Sequence, residues 1–180
     1  MKTPLLLAFL MILSWPVAAA ATKSACLKAD KVTNQMAPPE LYASYAACVK
    51  QKNYTDALFL FSLASAYGEH DKRRVPDSAT HEVPLDILNK TLEKMTKAEQ
   101  ESFGNFLQEQ ISALPTLYPL CRKIFDVGPP MYDPVYMAGV DGKVLQSEEF
   151  YVAQAWLSAM GSTTRCPVRG LQLDNKTFKP

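Results

Sequence analysis

Apolar side chains recur along most of this chain at steps of three and four, the period of an α-helix with one buried face. The stretch "PPELYASYAACVKQ" places Leu41, Tyr45, Cys48 and Val49 on one face behind two prolines suited to a first turn, which predicts a helix over 39–52. A "KNYT" turn follows, with Thr55 placed to cap a second helix and Asp56 at its positive end. Two helices joined by so few residues pack antiparallel. The second one, "DALFLFSLASAY", has almost no polar side, and Gly68 predicts its stop. A helix that is apolar all round must be covered. The expected cover is the Pro39 helix on one side and the Leu85 or Phe103 helix on another.

Further on, "EHDKRRVPDSATHEV" is polar and contains Pro76, so it predicts a loop with a turn of helix after Asp77. Leu85, Leu88, Leu92 and Met95 then mark an amphipathic helix starting at Pro84. Thr96 and Glu99 form the pattern of a capping box and open a helix that should bury Phe103, Phe106, Leu107, Ile111 and Leu114 and end at Pro115. A short helix is expected around 117–125, with Pro119 in its first turn. "DVGPPMYDPVYMAGVDGKV" breaks the helical grammar and predicts a structured loop. Ser147 starts the last helix, through Tyr151, Ala155, Trp156 and Met160, with Gly161 closing it; the tail from Ser162 has no helical period. Alternating strand patterns are confined to short pieces such as "GKVLQ". The fold class that follows is all-α: a disulfide-stapled helical bundle of five to seven helices.

Within the first helical pair, Leu41, Tyr54, Ala57, Phe61 and Ala64 follow the large, aromatic, small spacing of one repeat unit, and the pair resembles a tetratricopeptide or Sel1-like helix-turn-helix. The likeness covers about 30 of the 180 residues. Tyr45 stands where that family usually has a small residue, and Glu69 where a proline often closes the unit. No second copy lies one repeat further on, so other helices must supply the cover. Through "GPPMYDPVYM" and the later "RCP", the remainder is similar to small exported proteins of Gram-negative bacteria, which implies an address in the cell envelope.

The ends and the cysteines point to the same compartment. Lys2, the apolar run "LLLAFLMIL" at 5–13 and the small residues of "PVAAAA" form the pattern of a signal peptide over 1–21, cut after Ala20 or Ala21. That run is too short for a spanning helix, which needs about 20 residues, so no transmembrane segment is expected in the mature chain. Residues 22–180 then form a single domain with an irregular C-terminal tail. Cys26 is preceded by "TKSA", with Lys23 where lipid attachment would require an aliphatic residue. The four cysteines, Cys26, Cys48, Cys121 and Cys166, are an even set in an exported chain and predict two disulfides. The favoured pairing is Cys26 with Cys48 and Cys121 with Cys166, because each then ties an end segment to a helix beside it. The spacing lacks the Cys-x-x-Cys pattern of a zinc site.

Charge excludes one class of partner. Without Lys2 the chain carries 18 basic and 18 acidic residues, and its longest basic run is "KRR" at 72–74. Nucleic acid or an anionic membrane would call for a clustered basic excess, so neither is an expected partner.

Chemistry is sparse. Glu69, His70, Asp71, His81 and Glu82 are competent acid-base or metal-ligating groups within one polar stretch, but neither histidine stands in a His-Glu-x-x-His helix. The function expected first is a periplasmic or secreted, non-catalytic protein-protein interaction module, of the kind an immunity protein, an inhibitor or an envelope assembly factor would be. It needs no cofactor and takes a protein partner in the cell envelope. Its expected contact residues are His70, Arg73, Arg74, Tyr132 and Tyr136, since Arg and aromatic side chains make the strongest interface anchors. The alternative is an envelope hydrolase that uses a His70/His81 acid-base or metal site.

Overall fold

The computed structural model describes residues 25–137 and 151–168. The expected signal peptide, the Ser147 helix start and the tail beyond Val168 lie outside the described residues. Among those described, six α-helices run in the order α1 (Pro38–Lys50), α2 (Tyr54–Arg74), α3 (Val83–Leu92), α4 (Lys97–Ile111), α5 (Leu114–Val127) and α6 (Val152–Thr164), with three short 3-10 turns and no strand. None of these helices is long and apolar enough to cross a membrane. The disulfides are Cys26 to Cys48 and Cys121 to Cys166, the pairing favoured because each ties an end segment to a helix beside it.

Helix α2 is the axis of the bundle, and it answers the question its sequence raises. Its apolar residues are buried on every side by the chain itself, apart from the half-buried Tyr54 and Phe61. The main covers are α1 and α6, with α3, α4 and α5 closing the remainder. The expected Phe103 cover is present, its ring 5.7 Å from Phe61, and the last helix adds a larger cover that the pattern did not anticipate. Between α1, α2 and α4 the seam is aromatic: Tyr45 lies 5.4 Å from Phe61 and 4.9 Å, edge to face, from Phe103. A second aromatic seam joins α2 to α6 through Tyr67 and Trp156, 5.4 Å apart. Such tilted and edge-on pairs suit the ring quadrupole and fix side-chain orientation as well as burying area.

Several boundaries differ from the sequence pattern for identifiable reasons. The cap of α2 is Asn53, not Thr55; its side-chain oxygen accepts from the Asp56 backbone N–H. Gly68 does not end α2, which continues through "EHDKRR" to Arg74. Glycine serves packing there, because a Cβ at Gly68 would stand 2.8 Å from the Cβ of Pro84 in α3. The loop expected over 69–74 is therefore helix, and the loop proper begins at Val75, with the expected turn at Ser78–Thr80 capped by Asp77. The Thr96–Glu99 capping box forms as predicted. Helix α4 stops at Ile111 and buries only Phe103 fully, while Leu114 and Pro115 open α5 and Pro119 falls inside it. Gly161 likewise lies within α6, which runs on to Thr164, where Arg165 takes the left-handed conformation.

Candidate functional site

The long reach of α2 carries the polar residues of "EHDKRR" into the protein. Asp71 has no exposed surface, and His70 only 1%. Across from them lies the Pro- and Tyr-rich segment that follows α5. Gly128, at φ 84°, ends that helix in a conformation glycine adopts freely, and its carbonyl accepts a hydrogen bond of 3.0 Å from the Tyr67 hydroxyl. The segment then turns so that Tyr132 and Tyr136 both donate to Oδ2 of Asp71, at 2.7 and 2.6 Å. Arg74 Nε donates to Oδ1 of the same carboxylate at 2.9 Å, and a second guanidinium nitrogen reaches the Tyr132 carbonyl at 2.6 Å. The Arg74 guanidinium also lies 5.2 Å over the Tyr132 ring.

Asp71 is thus one buried anion with three charge-assisted donors, an arrangement that offsets its desolvation. Burial, and next the charge of Asp71, push the Tyr132 and Tyr136 phenols well above their ordinary range, so both remain protonated donors. His70 is pushed below its ordinary value by burial, with Asp71 opposing and Arg74 and Arg73 adding to the shift. Its Nδ1 is 3.8 Å from Asp71 Oδ1, and its ring meets Trp156 edge to face. In chemical terms the cluster is a brace that binds the segment 128–137 to the end of α2.

Of the five contact residues the sequence proposed, four therefore have their polar groups turned into this brace or the core beside it. Arg73 alone is exposed, pairing with Glu69 at 3.5 Å. His81 is held elsewhere, its Nε2–H donating to the Val75 carbonyl at 2.8 Å. The candidate ligands Glu69, His70, Asp71, His81 and Glu82 do not converge: among the described residues no group of three or more His, Cys, Asp or Glu is arranged to hold a metal.

A groove opens on a different surface. Helices α1 and α3 lie side by side and leave between them an open groove of about 760 Å³. Its floor is Ala43, Ala46 and Ala47 of α1 with Ile87 of α3, all only partly buried. The alanines occupy the face of α1 opposite the buried Leu41, Tyr45 and Cys48 stripe. Lys50, Lys90 and Lys94 rim the groove, exposed, and among the described residues no carboxylate lines it. Among the described residues none of these lysines makes an ion pair. Ala25 closes one edge, held there by Ser44, whose hydroxyl donates to the Ala25 carbonyl and accepts from the Leu27 N–H, both at 2.8 Å.

Sequence reasoning missed this groove. The available signal was Ile87, Lys90, Thr91 and Lys94 at i, i+3, i+4 and i+7, matched by Ala43, Ala46, Ala47 and Lys50 at the same spacing. Each reads as an ordinary solvated or small-residue helix face until both are seen to flank the same space. Comparison with protein-family models, with curated proteins and with solved structures returned no match.

Proposed function

We propose that this chain is an exported, non-catalytic protein-protein interaction module whose contact surface is the groove between α1 and α3. The observation that carries the reading is the groove itself: a half-buried apolar floor bordered by three lysines that, among the described residues, no carboxylate of the lining neutralises. Partly buried alanines at helical spacing, flanked only by α3 among the described elements, suit the close approach of a partner, and a charged rim around an apolar centre is the usual anatomy of a transient interface. Two disulfides fit an oxidising compartment outside the cytosol. The resemblance of the first helical pair to a repeat unit points the same way, as does the commitment of the Asp71 carboxylate to a structural brace.

The test is a pull-down of the protein, tagged at Pro180, from the envelope fraction of its own host, with mass-spectrometric identification. The expected result is one stoichiometric partner that is lost when Ala47→Arg fills the groove floor. A lane without a partner, together with turnover in a screen of peptidase, esterase and glycosidase substrates, overturns the reading in favour of a hydrolase.

A further inference from the structure

We propose that the α1/α3 groove seats an acidic amphipathic helix of the partner protein. This rests on the interaction-module reading and adds to it the chemistry of the segment that binds. Three features of the groove select such an occupant.

The first is spacing. Ala43, Ala46, Ala47 and Lys50 on α1, and Ile87, Lys90, Thr91 and Lys94 on α3 or just beyond its end, each stand at i, i+3, i+4 and i+7. Two helical faces of the same period enclose a channel that a third helix matches, by the ridge-and-groove packing that relates neighbouring helices. The second is side-chain size. Alanine floors allow helix axes to approach toward the lower end of the usual range of roughly 8 to 10 Å, so large apolar side chains of the occupant, Leu or Phe, are what fill the depth. Lining residues run along α1 from Pro39 to Gln51. At 1.5 Å per residue that is about 18 Å, room for a helix of roughly 12 residues.

The third is charge. Lys50, Lys90 and Lys94 are all exposed, belong to one lining and have no ion-pair partner among the described residues, in a chain that is otherwise nearly balanced. An occupant with Glu or Asp flanking its apolar stripe meets all three, and a basic one is repelled. Groove-to-groove pairing of two copies is disfavoured, since each brings the same three lysines.

The probe is a fluorescein-labelled 14-residue peptide with Leu at helical i, i+3, i+4 and i+7 positions and Glu elsewhere, set against its counterpart with Lys for Glu. Binding to the full-length exported protein is read by fluorescence anisotropy. The Glu peptide is expected to bind and the Lys peptide not. The combined change Lys50→Gln, Lys90→Gln and Lys94→Gln should weaken binding by about 3- to 150-fold, the range for three exposed ion pairs of ordinary strength. Raising salt from 50 to 500 mM should weaken it further in the wild type than in the variant. The lysines are on the surface, so the variant folds; Ala47→Leu, which narrows the floor without touching charge, must weaken binding too. Equal binding of both peptides, or indifference to both variants, overturns the proposal.

A photo-reactive benzoylphenylalanine at Gln51, exposed at the edge of the groove and off its floor, with a second at exposed Tyr118 of α5, separates this proposal from the reading beneath it. Cross-linking in the host through position 51 to an acidic helical segment of another protein supports both. A partner captured only through position 118 keeps the interaction-module class and removes the groove as its contact surface. Capture through position 51 of a second copy, or of the segment preceding Ala25, also removes the groove proposal, and capture through neither position removes both.

Discussion

Replacing Asp71 with Asn keeps the shape of the side chain and removes the charge on which the brace is built. The carboxylate accepts from Arg74 on one oxygen and from Tyr132 and Tyr136 on the other. An amide has one acceptor oxygen. If it faces the tyrosines, its NH2 confronts Arg74 Nε; turned round, it confronts both phenols. In either orientation Arg74, whose side chain is 10% exposed, loses the one counter-charge it has among the described residues. Removing one member of a buried ion pair costs about 3 to 5 kcal/mol. For a chain of this size that lowers Tm by roughly 6 to 20 °C. The assay is thermal and urea unfolding followed by far-UV circular dichroism under oxidising conditions, so that both disulfides persist. Tyr136→Phe, which deletes one donor, should cost about 1.5 to 3 kcal/mol in the wild type, the range for a hydrogen bond to a charged group. With Asn already at 71 the same change should cost less than about 1 kcal/mol, because the bond it removes is no longer charge-assisted. A loss below about 1 kcal/mol for Asp71→Asn, or strict additivity with Tyr136→Phe, would refute the view that these residues form one unit.

Other consequences can be checked with the same unfolding assay. Gly104→Ala, where nothing lies within 4 Å, should stabilise by up to about 1 kcal/mol through helix propensity, whereas Gly68→Ala should be neutral to destabilising by about 2 kcal/mol because Pro84 blocks the new methyl; equal gains at both sites would remove the packing role given to Gly68. The folded pKa of His70 is below its unfolded value of about 6.5, so stability is complete above that value and falls as pH drops below it, when the unfolded chain takes up the proton first. Between pH 7 and 5 the wild type should therefore lose more stability than His70→Gln, and parallel pH curves would contradict this. Changing Cys121 and Cys166 together to Ala should cost about 4 kcal/mol and Cys26 with Cys48 about 3.4, from loop separations of 45 and 22 residues; a reversed order would show that the loop-entropy account is not what governs these bridges.

What was legible in the sequence is what depends on neighbours within a turn or two. The period of Leu41, Tyr45, Cys48 and Val49 announces α1, and all four are buried. Thr96 and Glu99 reach only each other, so their capping box could be read directly. The cysteine pairing was accessible because each partner sits in or beside a helix that the pattern already placed. The charged stretch after Gly68 was not legible in this way. Glycine and a run of polar residues are the local signature of a helix end; the approach of Pro84 explains the glycine, and the burial of His70, Asp71 and Arg74 against distant segments gives the polar run a place in the helix.

The same limit applies to both candidate sites. Asp71 looks like a solvated loop carboxylate until Tyr132 and Tyr136, 61 and 65 residues away, bring their hydroxyls to it. Ala43, Ala46 and Ala47 look like the quiet side of an amphipathic helix until α3 comes alongside and leaves the space between them open. Secondary structure follows from short-range sterics and hydrogen bonding, which the chain order determines by itself. Whether a polar group is solvated or buried, and whether an apolar face is covered or free, depends on which distant elements arrive beside it, and that was decided only by the tertiary packing around α2.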